Sequence, residues 1–62
     1  MITRVWTKPI MQKVLKDLQT QGITVEKING GYKASIAGHE VLKAMQGNRG
    51  YLVKYEDDLF VN

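Results

Sequence analysis

Apolar and polar residues alternate along Ile23–Ile28 and again along Gly31–Ile36, with Asn29-Gly30 between the two runs. A period of two marks half-buried strands, and Asn-Gly between such runs is the strongest short-range signal for a β-hairpin. Strands are expected over about 23–28 and 31–37. Their register can be tested on side chains, because a one-residue slip turns every residue to the other face. With Asn29-Gly30 at the centre of a type I′ turn, Ile23 faces Ile36, Val25 faces Ala34 and Lys27 faces Tyr32, which makes one face apolar. Thr24 then meets Ser35 and Glu26 meets Lys33, the latter an opposite-charge pair of roughly 0.2–1 kcal/mol. Moving the turn to Gly30-Gly31 gives up that pair and sets Ile28 against Lys33. The Asn29-Gly30 register is therefore preferred.

Upstream, the period changes to 3.6. Ile10, Met11, Val14, Leu15 and Leu18 share one arc, while Gln12, Lys13, Lys16, Asp17, Gln19 and Thr20 fill the rest, which predicts an amphipathic helix over about 8–21. Thr7 suits the N-cap, Pro9 the first turn, Trp6 and Met11 a hydrophobic staple, and Gly22 a left-handed stop. Met1–Trp6 alternates only weakly and leaves two readings, a short strand and a packed arm.

Downstream, His39–Gln46 (HEVLKAMQ) supports two structures. As a helix, in the order αββαβ, it uses strong helix formers and gathers Val41, Leu42 and Met45 on one side. As a strand over about 40–46 it extends a meander through turns at Ala37-Gly38 and Asn48-Arg49. That register pairs Ala44 with Val53, Leu42 with Tyr55 and Met45 with Leu52, but sets Lys43 opposite Lys54. Short connections suit antiparallel neighbours and a small chain gains from one continuous sheet, so the strand is preferred. Tyr51–Glu56 reads as a further strand, and Leu59–Val61 as a short edge strand or packed tail. The expected fold is α+β, one N-terminal helix packed on an antiparallel sheet of three to four strands, in a single domain over residues 1–62.

Length and composition narrow what such a fold does. A 62-residue chain has a marginal core, for which self-association is a common remedy. The absence of cysteine removes disulfides, a thiolate metal site and a thiol nucleophile, and fits a cytoplasmic setting. No apolar run suits a signal peptide or a membrane span, so no membrane partner is expected. Net charge is +3, with every Lys and Arg at or before Lys54 and three acids, Glu56, Asp57 and Asp58, behind them.

Candidate chemistry is sparse. Tyr55-Glu56-Asp57-Asp58 has the YxDD form of the metal-binding hairpin in reverse-transcriptase-like polymerases. It lacks the distant carboxylate and the length of a polymerase palm, and reads as an acidic turn. His39 has no second His or Cys for a metal, Ser35 has no neighbouring base, and Gly47-Asn48-Arg49-Gly50 is ordinary turn chemistry. No catalytic, cofactor-binding or metal-binding residue and no small-molecule substrate is indicated, so an enzyme is not expected.

The surfaces say more. With the helix over Ile23, Val25, Ala34, Ile36, Leu42, Ala44 and Val53, the opposite face carries Ile28, Val41, Met45 and Leu52 beside Lys33, Lys43 and Lys54. Contiguous apolar groups rimmed by charge mark protein contacts. The sequence therefore predicts a small interaction or regulatory module, a homo-oligomer or the binder of an unidentified protein, with Ile28, Val41, Met45 and Leu52 as its interface. The alternative is weak, salt-dependent nucleic-acid binding through Lys33, Lys43, Arg49 and Lys54. Tyr32 falls on the covered face, which removes one ring from any base-stacking platform.

Overall fold

The computed structural model describes residues 1–60. In chain order the elements are β1 (Ile2–Trp6), α1 (Lys8–Thr20), β2 (Thr24–Ile28), β3 (Gly31–Ile36), β4 (His39–Gly47) and β5 (Gly50–Tyr55). The five strands form one antiparallel sheet in the order β1-β5-β4-β3-β2. The α+β class is as expected, but the sheet has five strands rather than three to four. The added strand is Ile2–Trp6, which pairs with β5 from Ile2 opposite Tyr55 to Trp6 opposite Tyr51. Its alternation is weak because Arg4, opposite the buried Val53, sits on an edge strand where a long charged side chain still reaches water. Residues 57–60 are turn rather than strand. Leu59 and Phe60 pack there as a tail, with the Phe60 ring 5.0 Å from Tyr55 and 6.2 Å from Trp6. Val61, the end of the expected short strand, lies outside the described residues.

His39–Gly47 is a strand at the centre of the sheet, and the αββαβ alternative is excluded. Its helix formers are overridden because both neighbours offer it a ladder, and in a strand packing against neighbours outweighs intrinsic preference. β4 and β5 pair as expected, with Leu42 opposite Tyr55, Ala44 opposite Val53, Met45 opposite Leu52 and Lys43 opposite Lys54.

The β2–β3 register is the expected one, from Thr24 opposite Ser35 to Ile28 opposite Gly31. The turn is different. Gly30 has φ +84 while Asn29 is not in the left-handed region, a type II pattern rather than the type I′ expected. Two successive left-handed residues occur instead at Ala37 (φ 51) and Gly38 (φ 83), between β3 and β4. A second glycine requirement follows immediately after the first turn. A Cβ on Gly31 would overlap the carbonyl oxygen of Ala44, so only glycine lets β3 start this close to β4.

One buried cluster holds the elements together. Met11, Leu15 and Leu18 of α1 share it with Ile23, Ala34, Val41, Leu42, Ala44, Tyr51 and Val53. Ile10 was expected in the same helix arc but is 51 % exposed, and Ile36, expected under the helix, is 47 % exposed. α1 starts after Thr7, whose side chain makes no capping bond, and it ends in a Schellman arrangement. The Gly22 amide donates to Gln19 and the Ile23 amide to Leu18 at 3.0 and 3.1 Å. Leu18 and Ile23 are both buried, so the chain turns directly from helix into the first hairpin with an apolar contact at the corner.

α1 leads from one edge of the sheet to the other. Crossing from β1 to β2 spans four strand gaps, about 19 Å at 4.7–4.9 Å each. Thirteen helical residues at 1.5 Å rise cover about 20 Å. Helix length and sheet width therefore match.

Two substitutions test these backbone constraints. Gly31→Ala should cost about 2–3 kcal/mol in chemical denaturation, because the new methyl must push β3 away from Ala44. Ala37→Asn should stabilise by about 1 kcal/mol, since Asn tolerates positive φ better than Ala. The corresponding rise in Tm is about 4–8 °C for a domain of this size.

Candidate protein interface

Residues directly opposite one another in a sheet share a face, and successive residues along a strand alternate between faces. Ala34, Ala44 and Val53 belong to the buried cluster with α1, so Lys33, Lys43, Met45, Leu52 and Lys54 point to the other side. The register assembles that side into two rows across all five strands. The first runs Val5, Leu52, Met45, Gly31, Ile28, each residue opposite the next. The second runs Thr3, Lys54, Lys43, Lys33, Glu26. An apolar row therefore lies directly alongside three lysines in register.

The apolar row is open to water. Val5 is 63 % exposed and Leu52 44 %, while Met45 and Ile28 are half-buried. Gly31 leaves a gap in the row, and the Met45 side chain reaches to the neighbouring Gly30, where an added Cβ would lie 3.4 Å from its Cε. A shallow hollow of about 160 Å³ lies between Lys43, Met45, Leu52 and Lys54, joining the two rows.

The lysine row carries uncompensated charge. Among the described residues none of Lys33, Lys43 and Lys54 closes an ion pair, although Glu26 stands opposite Lys33 in the ladder. Two of the three acids that follow Lys54 are engaged elsewhere. Glu56 Oε1 lies 3.1 Å from His39 Nε2, and Asp57 lies 2.6 Å from the Met1 ammonium. The hydrogen bond to Asp57, and then its charge, hold that ammonium's pKa above its ordinary value.

Of the residues expected at an interface, Ile28, Met45 and Leu52 come together and Val41 does not. Val41 is 7 % exposed and belongs to the core. The reason is a β-bulge. Ala34 pairs with Leu42 but Ser35 pairs with Glu40, so Val41 has no partner and the alternation of β4 shifts by one. Its carbonyl accepts the Glu56 amide at 2.9 Å. Of the residues expected to contact nucleic acid, Lys33, Lys43 and Lys54 form the row, whereas Arg49 lies in the β4–β5 turn outside it. Val5 was missed. Its signal was the parity of Met1–Trp6, readable only once that segment is taken as a strand opposite Tyr51–Tyr55.

The aromatic residues all lie away from these rows. Trp6 is opposite Tyr51, Tyr55 opposite Leu42, and Tyr32 opposite Ala44, all with the buried cluster. Trp6 and Tyr55 stack at 5.7 Å between centroids, and Tyr32 and Tyr51 lie 6.4 Å apart.

A larger open cleft of about 540 Å³ lies at one end of the molecule, lined in part by Ile36, His39, Val41, Glu56 and Asp58. Its polar chemistry centres on the exposed His39–Glu56 pair. Among the described residues no polar side chain is buried, and no group of three or more His, Cys, Asp or Glu is placed to hold a metal ion. Nor, among them, is any helix long and apolar enough to cross a membrane. No family model matches the chain, no curated protein matches it, and no solved structure matches it.

Cross-strand like charges destabilise by roughly 0.2–1 kcal/mol a pair, and Lys43 has a lysine on both sides. Lys43→Gln should therefore raise the stability of the isolated protein by about 0.5–1 kcal/mol at low salt. Most of that gain should vanish in thermal melts near 1 M salt, where the screening length is about 3 Å.

Proposed function

We propose that the chain is a small, non-enzymatic protein-interaction module, and that its contact surface is the exposed face of the sheet. The supporting observation is the row Val5, Leu52, Met45 and Ile28, which crosses the whole sheet without a cover. In this proposal α1 lies across the opposite face, with Met11, Leu15 and Leu18 over Ala34, Leu42, Ala44 and Val53, and serves as scaffold. The exposed row is then free to meet a second copy or a different protein. An apolar stripe bordered by charge suits such a contact, since its centre supplies burial and its border supplies orientation.

The lysine row favours a second reading, salt-dependent nucleic-acid binding through Lys33, Lys43 and Lys54. Against it stands the placement of Trp6, Tyr32, Tyr51 and Tyr55 with the core, which leaves the exposed face of the sheet without a stacking surface for bases.

Leu52→Ser combined with Met45→Ser tests the interface. Wild-type protein should either scatter light above its 7.0 kDa monomer mass or retain a specific protein from an extract of its source. The double variant should lose that association while keeping its circular dichroism. A monomeric wild type that retains nothing, or a variant that associates as before, removes the proposal.

A further inference from the structure

We infer that the exposed face takes an acidic amphipathic helix from a different protein, laid across the strands. Its apolar side would rest on Val5, Leu52, Met45 and Ile28, and its carboxylates would meet Lys33, Lys43 and Lys54. The inference rests on the exposed face being the contact surface, and adds the chemistry of the partner.

Charge selects an acidic partner. The three lysines stand in register on one side of the apolar row, without ion pairs of their own among the described residues. A partner with carboxylates along one flank of an apolar stripe would neutralise all three while covering the row.

Charge also argues against a second copy. Stacking two of these faces about a two-fold axis along the rows keeps the apolar rows in contact. It sets each lysine row over the turn ends of the other copy, where Asn29-Gly30 and Gly47–Gly50 carry no acid and Arg49 adds a positive charge. A two-fold axis along β4 places Lys43 over Lys43 and Lys54 over Lys33, with each Glu26 over Thr3. Neither arrangement brings a carboxylate of one copy over a lysine of the other.

Ring placement separates a protein from the other anionic surfaces. Single-stranded nucleic acid is held by stacking on aromatic rings, and membrane interfaces favour Trp and Tyr. The exposed rows contain only aliphatic, sulfur-containing and polar side chains, because Trp6, Tyr32, Tyr51 and Tyr55 are with the core.

Spacing selects a helix. The rows run perpendicular to the strands, so the partner's repeat must match the strand gap of about 4.8 Å. One helical turn advances about 5.4 Å, whereas same-side residues of an extended strand lie about 6.7 Å apart. Three carboxylates on successive turns would drift about 1 Å against three lysines, within reach of flexible side chains. The apolar row needs about 13 helical residues to cross it, the same length by which α1 spans the sheet.

The test uses the full chain and a fluorescein-labelled peptide of about 14 residues, with leucines on one face and glutamates along one flank. Anisotropy at low salt should show saturable binding, weakened about tenfold by Lys43→Ala with Lys54→Ala and by Leu52→Ser. The same peptide with Gln for Glu should bind at least about fivefold more weakly. Labelled oligothymidine and phosphatidylserine–phosphatidylcholine vesicles serve as competitors for the other chemistries.

Equal binding of the Gln peptide overturns the charge assignment. Tighter binding of oligothymidine or vesicles that the lysine variants abolish replaces the partner with nucleic acid or membrane. No binding of the Glu peptide, or light scattering that shows a stable dimer lost in Leu52→Ser, removes the acidic helix. If the Glu peptide fails while Leu52→Ser with Met45→Ser still abolishes an association, only the partner's chemistry falls and the exposed face remains the contact.

Discussion

Burial of the small and aliphatic residues at the centre of the sheet determines which other side chains must be neighbours. Leu42 and Val53 are 1 % and 0 % exposed, and Ala34 and Ala44 are fully buried. Burying a leucine or valine contributes about 1.5–3 kcal/mol, whereas a cross-strand lysine pair opposes folding by roughly 0.2–1 kcal/mol. The core therefore wins the contest for register. Alignment of Lys33, Lys43 and Lys54 follows from seating Ala34, Ala44 and Val53 on the other side.

That balance does not explain why the lysines are there. Any polar residue would satisfy the solvated side of Lys43, and an acid would attract both neighbours instead of repelling them. Keeping three cations in register beside exposed valine, leucine and methionine gives up stability in a chain whose size leaves little to spare. Departures of this kind from local consistency gather at functional sites. The aromatic cluster is arranged the other way. Trp6, Tyr55 and Phe60 pack around the corner where the chain's first and last described segments meet. Bulky rings are spent on the frame, and the face offered outward is aliphatic and cationic.

Much of this was legible in the residue order where alternation was strict. Glu26 opposite Lys33 selected the first hairpin's register, and Ala44 opposite Val53 followed from the turn at Asn48-Arg49. Three features were not legible, each because an interaction between distant residues decided it. Arg4 interrupts the apolar parity of Ile2 and Trp6, and only pairing with β5 makes that segment a strand. In an unbroken strand Val41 shares a face with Lys43 and Met45, yet a bulge opposite Ala34 and Ser35 turns it to the core and removes it from the interface. The left-handed pair expected at Asn29-Gly30 occurs instead at Ala37-Gly38, where alanine carries a conformation its Cβ disfavours. Of the two surface rows, Leu52, Met45 and the lysines could be read from pairing alone, and Val5 could not.

The passage of α1 from one edge strand to the other has a kinetic consequence. Strands β2 to β5 each pair with the next in sequence, so the meander can zip through short loops whose closure entropy is small. β1 must find β5 across almost the entire chain, with Ile2 opposite Tyr55. Long-range pairing of this kind slows folding, and an edge strand held by one neighbour is among the first elements to open. Opening of β1 would lift Val5 off the apolar row, leaving Leu52 at a freshly exposed sheet edge. A partner seated across the row would hold that edge shut, so binding and the longest-range strand pairing of the fold would act on the same strand.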